Sequence, residues 1–315
     1  MTTVIETKNL TKNYGEFNAV NNLNLKIREG EVFGFLGPNG AGKTTTIAML
    51  IGILHPTDGS VHLFGENLSD NYFDLKKRIG VVSEQQYMYD AMTAYEYLSF
   101  FADLYDVKNK RERIYELLNF VELYKYKDKK LGQYSKGMRQ KISISRALVH
   151  NPDILFLDEP AYGLDPAGVK EVRDIIFKQK DHGKTIFMSS HILSEVEKIC
   201  NVVGIIDNGV LVKKASMEEL KKASSGLCEL KIELDKINPG VIESLKRLPF
   251  IKNVGVDEKN KNLLKIQTLD EKNRAEISRR IFENNGAIID MSTEKATLED
   301  IFVKITGGAE EVNEK

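Results

Sequence analysis

Apolar positions in the first two-thirds of the chain fall in short continuous runs. "VFGFLG" (32–37), "IGVVSE" (79–84), "ILFLD" (154–158) and "TIFMSS" (185–190) are each too short for a helix and are bounded by polar or turn residues. That is the pattern of strands covered on both faces. Helical spacing separates them. "TTTIAMLIGIL" follows the first run, Val169, Val172 and Ile176 form one stripe, and Leu193, Val196 and Cys200 form another. The alternation predicts an α/β region with a largely parallel sheet. Residues 93–130 carry a helical pattern rich in Tyr and Phe with no strand run, and read as a helical insertion. In "GIIDNGVLV" (204–212), Asn208-Gly209 between two apolar runs predicts a tight hairpin.

The pattern changes after "KKASMEELKKASSG" (213–226), which reads as a linker: a short helix ending in Ser and Gly. Beyond it come strand "CELKIEL", helix "VIESLKRL", strands near 251–256 and 263–268, helix "NRAEISRRIFENNG" and strand "AIIDMS". This βαββαβ order predicts a small α+β, ferredoxin-like unit. A last helix, "TLEDIFVKIT", has Thr297 and Asp300 as a capping pair, and "GGAEEVNEK" reads as a disordered tail.

Composition narrows the function classes. The chain is 42% hydrophobic and 29% charged, an ordinary soluble mixture, and its 315 residues suit about two domains. A net charge of −1 argues against a nucleic-acid binder, whose domain is usually strongly basic. Cys200 and Cys228 form no disulfide framework and no metal spacing, which suits a reducing compartment. The start, "MTTVIETKNL", has no basic region followed by an apolar run, so no secretory signal is expected there. No stretch reaches the ~20 apolar residues that span a bilayer, so membrane work would fall to a separate chain.

The chemistry begins with "GPNGAGKT" (37–44), which follows a predicted strand and opens a predicted helix. Glycines let backbone N–H groups converge on phosphate oxygens, and the helix start adds partial positive charge. Lys43 would reach the β- and γ-phosphates, and Thr44 would offer its hydroxyl oxygen to Mg²⁺. A second stretch, "LFLDEPAYGLD" (155–165), ends an apolar strand in two adjacent carboxylates, Asp158 and Glu159. Neighbouring buried anions repel, so a cation is expected beside them. Asp158 suits the carboxylate that helps to hold Mg²⁺, and Glu159 would polarise the water that attacks the γ-phosphate.

Three more motifs stand in order around these two: "KNYGEFNAV" (12–20), "YSKGMRQKISISRAL" (134–148) and "MSSHILSE" (188–195). Together they make residues 4–220 resemble the nucleotide-binding subunit of an ATP-binding-cassette (ABC) transporter. The end, "TLEDIFVKITG", is similar to the tail of prokaryotic ATPases of the daunorubicin-resistance type, which serve drug, antibiotic or sodium efflux permeases. The resemblance implies an ABC ATPase domain over 1–220, with a helical subdomain at about 88–150. A C-terminal α+β domain for regulation or dimerisation would span 221–306, with a tail over 307–315.

It also implies roles. Tyr14 would stack on adenine. Gly37, Asn39, Gly40, Gly42, Lys43, Thr44 and Thr45 would form the phosphate loop. Asp158 and Glu159 would be the magnesium acid and the catalytic carboxylate, Asp165 an acid communicating across a dimer, and His191 a switch contacting the γ-phosphate. The signature reads Tyr134-Ser135-Lys136-Gly137-Met138 where the family usually has Leu-Ser-Gly-Gly-Gln. Ser135 and Gly137 can still face a phosphate, and Lys136 adds charge. Glu84 stands where a Gln usually serves as magnesium ligand, with Gln85 and Gln86 next to it, and any of the three could face the metal.

One chain carries one copy of each motif, so the resemblance implies a head-to-tail homodimer, or a heterodimer with a second cassette, holding ATP and Mg²⁺. A separate polytopic permease would hold the subunit at the cytoplasmic inner face of the membrane. Tyr87, Tyr89, Tyr95, Tyr97, Phe100 and Phe101 would supply its docking face, some of them being core instead. The competing function is a soluble cassette ATPase acting on ribosomes or nucleic acid. A third class, an ATP sensor without turnover, is disfavoured by Glu159.

Overall fold

A long antiparallel ribbon opens the chain: β1 (Thr3–Tyr14) pairs with β2 (Phe17–Arg28) from Thr3 opposite Arg28 to Tyr14 opposite Phe17. The computed structural model describes residues 2–224, 228–257, 260–268, 273–294, 298 and 302. They belong to two compact units, Met1–Ala215 and Ser216–Lys315.

In the first unit, β3 (Val32–Leu36), α1 (Lys43–Leu50), β4 (Asp58–Leu63), β5 (Glu66–Asn67), α2 (Tyr72–Lys76) and β6 (Ile79–Val82) come next. Then follow α3 (Ala94–Leu104), α4 (Lys110–Phe120), α5 (Lys136–Leu148), β7 (Ile154–Asp158), α6 (Pro166–Asp181), β8 (Thr185–Ser190), α7 (Leu193–Ile199), β9 (Val202–Asp207) and β10 (Val210–Ser216). The strands make two sheets. One, in the order β2-β1-β4-β5, is antiparallel. The other, β10-β9-β3-β8-β7-β6, contains the four apolar runs, and its strands from β6 to β9 are parallel.

The antiparallel sheet was not apparent from the sequence. In β2 the buried residues Leu23, Leu25 and Ile27 alternate with exposed polar ones, and β1 is mostly Thr, Asn and Lys. Such strands cover the core with one face only. Ile5, Leu10, Leu23 and Leu25 share a single core with Phe33, Phe35, Phe156 and Phe187 of the parallel sheet and Ile47, Met49 and Leu50 of α1. Phe187 is its hub, with ring centroids 5.4, 5.5 and 5.7 Å from Phe33, Phe35 and Phe156.

Helix α1 stops at Leu50, short of the end of "TTTIAMLIGIL", because Gly52 turns the chain at φ 69°. Val172 and Ile176 of α6 are buried, as are Val196 and Cys200, whereas Val169 and Leu193 are half-buried. The helical insertion contains α3 and α4, and a bridge between Thr93 and Lys130 ties its ends together. Thr93 and Glu96 cap α3 reciprocally. Asn208 and Gly209 turn β9 into β10 with φ of 46° and 77°. Residues 213–216, read as the start of a linker, continue β10 instead; Ala215 is buried and the Lys214 ammonium donates to the carbonyl of Lys26.

The second unit contains α8 (Met217–Ser224), β11 (Cys228–Leu234), α9 (Pro239–Lys246), β12 (Ile251–Val256), β13 (Leu263–Thr268), α10 (Arg274–Glu283) and β14 (Ile288–Glu294). Its sheet has the order β12-β13-β11-β14, antiparallel throughout. Leu230, Ile232, Leu264 and Ile266 from alternate strand positions pack against Val241, Leu245, Ile277 and Ile281 of the two helices. Period-two and helical patterns thus meet in one core, as the βαββαβ reading expects. The Thr297–Asp300 capping pair and the tail 307–315 lie outside the described residues.

Candidate nucleotide site

The loop between β3 and α1 has its shape imposed by packing. Gly42 caps α1 at φ 102°, and a Cβ there would meet the Ala19 carbonyl oxygen at 2.3 Å. A Cβ on Gly37 would meet the Ile206 carbonyl oxygen at 2.4 Å. Only glycine fits at either position. The loop then feeds a helix whose first turn has free N–H groups and no acidic residue, an anion-binding arrangement. The Lys43 ammonium donates to the carbonyls of Gly37 at 2.7 Å and Pro38 at 3.0 Å. Burial lowers the Lys43 pKa, while Glu159, Asp158 and Glu84 pull it back up.

Strand β7 delivers the acids. Asp158 is buried, and its Oδ1 accepts the Ser189 hydroxyl at 2.6 Å. Burial raises its pKa, bonds from Ser189 and Thr44 oppose that, and the charges of Glu159 and Glu84 push it up further. Glu159 adopts a left-handed backbone, φ 46°, which a side chain other than glycine takes up at a cost of about 1–3 kcal/mol. The surroundings hold it there: its N–H donates to Ser189 Oγ at 3.0 Å, and its Oε2 lies 2.8 Å from His191 Nδ1. Ser189 therefore orients both acids, a role the sequence reading missed. Its place at the end of an apolar strand paired with β7 was the available signal.

Part of this set faces one cleft of about 470 Å³, and Gly37, Asp158 and Ser189 are not among the residues that line it. Tyr14, Asn39, Gly40, Gly42, Lys43, Thr44, Thr45, Glu84, Glu159 and His191 line it, and so do Phe17, Ala19 and Tyr162, which the sequence reading did not single out. Tyr14 and Phe17 stand opposite each other at the turn of the amino-terminal ribbon, 51% and 62% exposed. Of the three candidates for the metal, Glu84 is the one on the cleft; Gln85 pairs with the Tyr87 hydroxyl, and Gln86 has a buried, unpartnered Oε1. Thr44, Asp158 and Glu84 are oxygen donors suited to a hard divalent ion. Among the described residues no group of three His, Cys, Asp or Glu forms a metal cage by itself.

Ser135, Gly137 and Asp165 lie elsewhere. Ser135 caps α5, its hydroxyl accepting from Met138 N–H at 3.3 Å, and Asp165 caps α6, accepting from Gly168 N–H at 3.0 Å. With Gly137 they line a second cleft of about 570 Å³, beside the Lys141–Glu171 ion pair at 2.8 Å. None of the three lines the first cleft.

The aromatic stretch near Glu84 is divided between core and surface. Tyr97 is fully buried, Tyr95 and Phe101 are half-buried, and Tyr87, Tyr89 and Phe100 are exposed. Arg146 on α5 stacks on Phe101 and donates to the Val81 carbonyl at 2.8 Å, tying α3 to β6. No helix among the described residues is long and apolar enough to cross a membrane.

Known protein families match stretches of both units. Residues 20–162 match the ABC transporter family, and residues 216–306 match the C-terminal domain of DrrA1-3-like ATP-binding proteins. The chain is 38% identical over 307 residues to the bacitracin transport ATP-binding protein BcrA of Enterococcus faecalis, covering 97% of each chain. It is also 38% identical to BcrA of Bacillus licheniformis, covering 98% and 99%. Among solved structures, a dimeric ATP-binding cassette in a post-hydrolysis state with ADP and phosphate superposes with a TM-score of 0.62 at 27% identity, covering 68% of this chain and 98% of that one. These relatives support transport rather than a ribosomal or nucleic-acid role. The chain belongs to the ABC transporter family, as an ATP-binding and ATP-hydrolysing subunit that energises a separate permease.

Proposed function

We propose that two copies of this chain close head to tail over two ATP molecules and drive an export permease, the phosphate loop of each facing the α5 start of the other. The observation that carries this reading is the separation of the motifs. Lys43, Glu159 and His191 line one cleft, whereas Ser135, Gly137 and Asp165 line another. The match to a dimeric cassette supports the assembly. The BcrA relatives, aligned over nearly their whole length, support a permease partner and an antibiotic-class cargo. A permease would hold the subunit at the cytoplasmic face of the membrane, with exposed Tyr87, Tyr89 and Phe100 available for docking.

In this reading Lys43 neutralises the β- and γ-phosphates, and Tyr14 and Phe17 offer rings to the base. Glu159 accepts a proton from the attacking water, a contribution worth about 10²–10⁴ in rate. His191 holds that carboxylate and reaches the γ-phosphate. Thr44, Asp158 and Glu84 would hold Mg²⁺, which when bound neutralises charge developing on the phosphates.

Mixing two inactive chains tests the assembly. Lys43→Ala disables a phosphate loop and Gly137→Asp a signature. A head-to-tail dimer of one of each keeps one intact site, so ATPase activity returns on mixing. A mixture as inactive as its components rules the arrangement out.

A further inference from the structure

We propose that Tyr162 is a positioning residue: its ring holds His191 against Glu159, and Lys136 at the start of α5 in turn holds the ring. The inference rests on the reading of Glu159 and His191 as the reacting pair, and adds residues that reading does not contain.

Tyr162 closes the turn that Glu159 opens, its N–H donating to the Glu159 carbonyl at 3.0 Å. Its ring meets the His191 imidazole at 5.8 Å between centroids and 69° between planes. That edge-to-face arrangement is the one aromatic quadrupoles favour. The His191 side chain is 44% exposed, and its hydrogen-bond and ring partners among the described residues are Glu159 and Tyr162. Without the ring, little confines the imidazole to the carboxylate.

The ring has a second neighbour. Lys136 Nζ lies 5.1 Å from its centroid, a cation–π contact. Among the described residues no carboxylate lies within ion-pairing distance of Lys136, so the ring is its partner. Gly163, at φ 65°, makes room: a Cβ there would fall 2.1 Å from Lys136 Nζ. Tyr162 and His191 line the first cleft, and Lys136 and Gly163 the second. The contact chain Lys136–Tyr162–His191–Glu159 thus joins the two clefts of a single chain. Lys136 is a departure from the usual signature; a lysine and a tyrosine placed here supply the two halves of one contact.

The test combines ATP hydrolysis by the full chain with NMR of ¹⁵N-histidine-labelled protein, in which His191→Ala assigns one of five imidazoles. Tyr162→Ala and Tyr162→Leu should each lower kcat about tenfold with KM for ATP within about twofold, since positioning acts on the chemical step, and Tyr162→Phe should restore it. Lys136→Gln should lower kcat about threefold in the wild-type background and have no further effect beside Tyr162→Ala, as coupled contacts do. Both Tyr162→Ala and Lys136→Gln should move the His191 signal. Wild-type kcat in Tyr162→Ala, an unmoved His191 signal, or a full Lys136→Gln effect beside Tyr162→Ala would each overturn the proposal. Absence of ATP hydrolysis in the wild type would instead refute the reaction assigned to the site, and the histidine signal would still report on the contact.

Discussion

The two clefts are built on different principles. Cost is concentrated at and behind the first: a buried lysine and a glutamate held in a left-handed backbone line it, and a buried Asp158 whose pKa is pushed up precedes that glutamate in the chain. The second holds helix caps and an ordinary ion pair, with Ser135, Lys136 and Asp165 exposed. Cost of the first kind persists only where surrounding structure over-determines it, and it gathers where chemistry is done. A cap with an exposed helix start is satisfied as it stands, and needs only a ligand carried to it. The contrast teaches that strain and desolvation gather around the first cleft, whereas the second is built from groups already satisfied.

Substitutions can break that contrast. The largest effect belongs to Glu159→Gln, which keeps size and loses the base. Turnover should fall by at least about a hundredfold with ATP binding retained, and a nucleotide-bound dimer should accumulate in sedimentation. Unchanged steady-state hydrolysis would remove Glu159 from the chemistry. Lys43→Ala comes next. Losing a charge-assisted contact worth about 1.5–3 kcal/mol should weaken ATP binding roughly 10- to 100-fold by calorimetry. Normal affinity would contradict the assignment of the loop. Ser135→Ala should do least. Loss of the α5 cap should cost about 0.5–2 kcal/mol of stability in urea unfolding, and turnover should fall while ATP affinity of the separated chain holds. A drop in that affinity would mean that the second cleft binds nucleotide within the same chain.

Much of this was legible beforehand because it is local. Each apolar run from "VFGFLG" to "TIFMSS" became a strand of the parallel sheet, since a run buried on both faces announces itself without reference to anything distant. "GPNGAGKT" could be read because backbone shape, helix start and lysine are consecutive. The same holds for the βαββαβ order of the second unit, whose core uses the expected periodicities.

What escaped is non-local. Strands β1 and β2 look polar until a second sheet provides the core they cover. Phe17 enters the cleft because a hairpin register sets it opposite Tyr14, and Ser189 touches Asp158 because β8 lies beside β7 in the sheet order. Tyr162 looked like any turn residue until folding brought Lys136 and His191 to it.

By itself, then, the sequence determined the kinds of element, the glycine-shaped loop that opens α1, the pair of adjacent acids and the family, all written in spacing between neighbours along the chain. Only the tertiary structure decided which of Glu84, Gln85 and Gln86 lines the cleft, that the motifs separate into two clefts, and that Glu159 is held left-handed by residues some thirty positions away. The physical reason is that desolvation, charge pairing and backbone strain depend on what surrounds a group in space, and that environment exists only once the strands have taken their order.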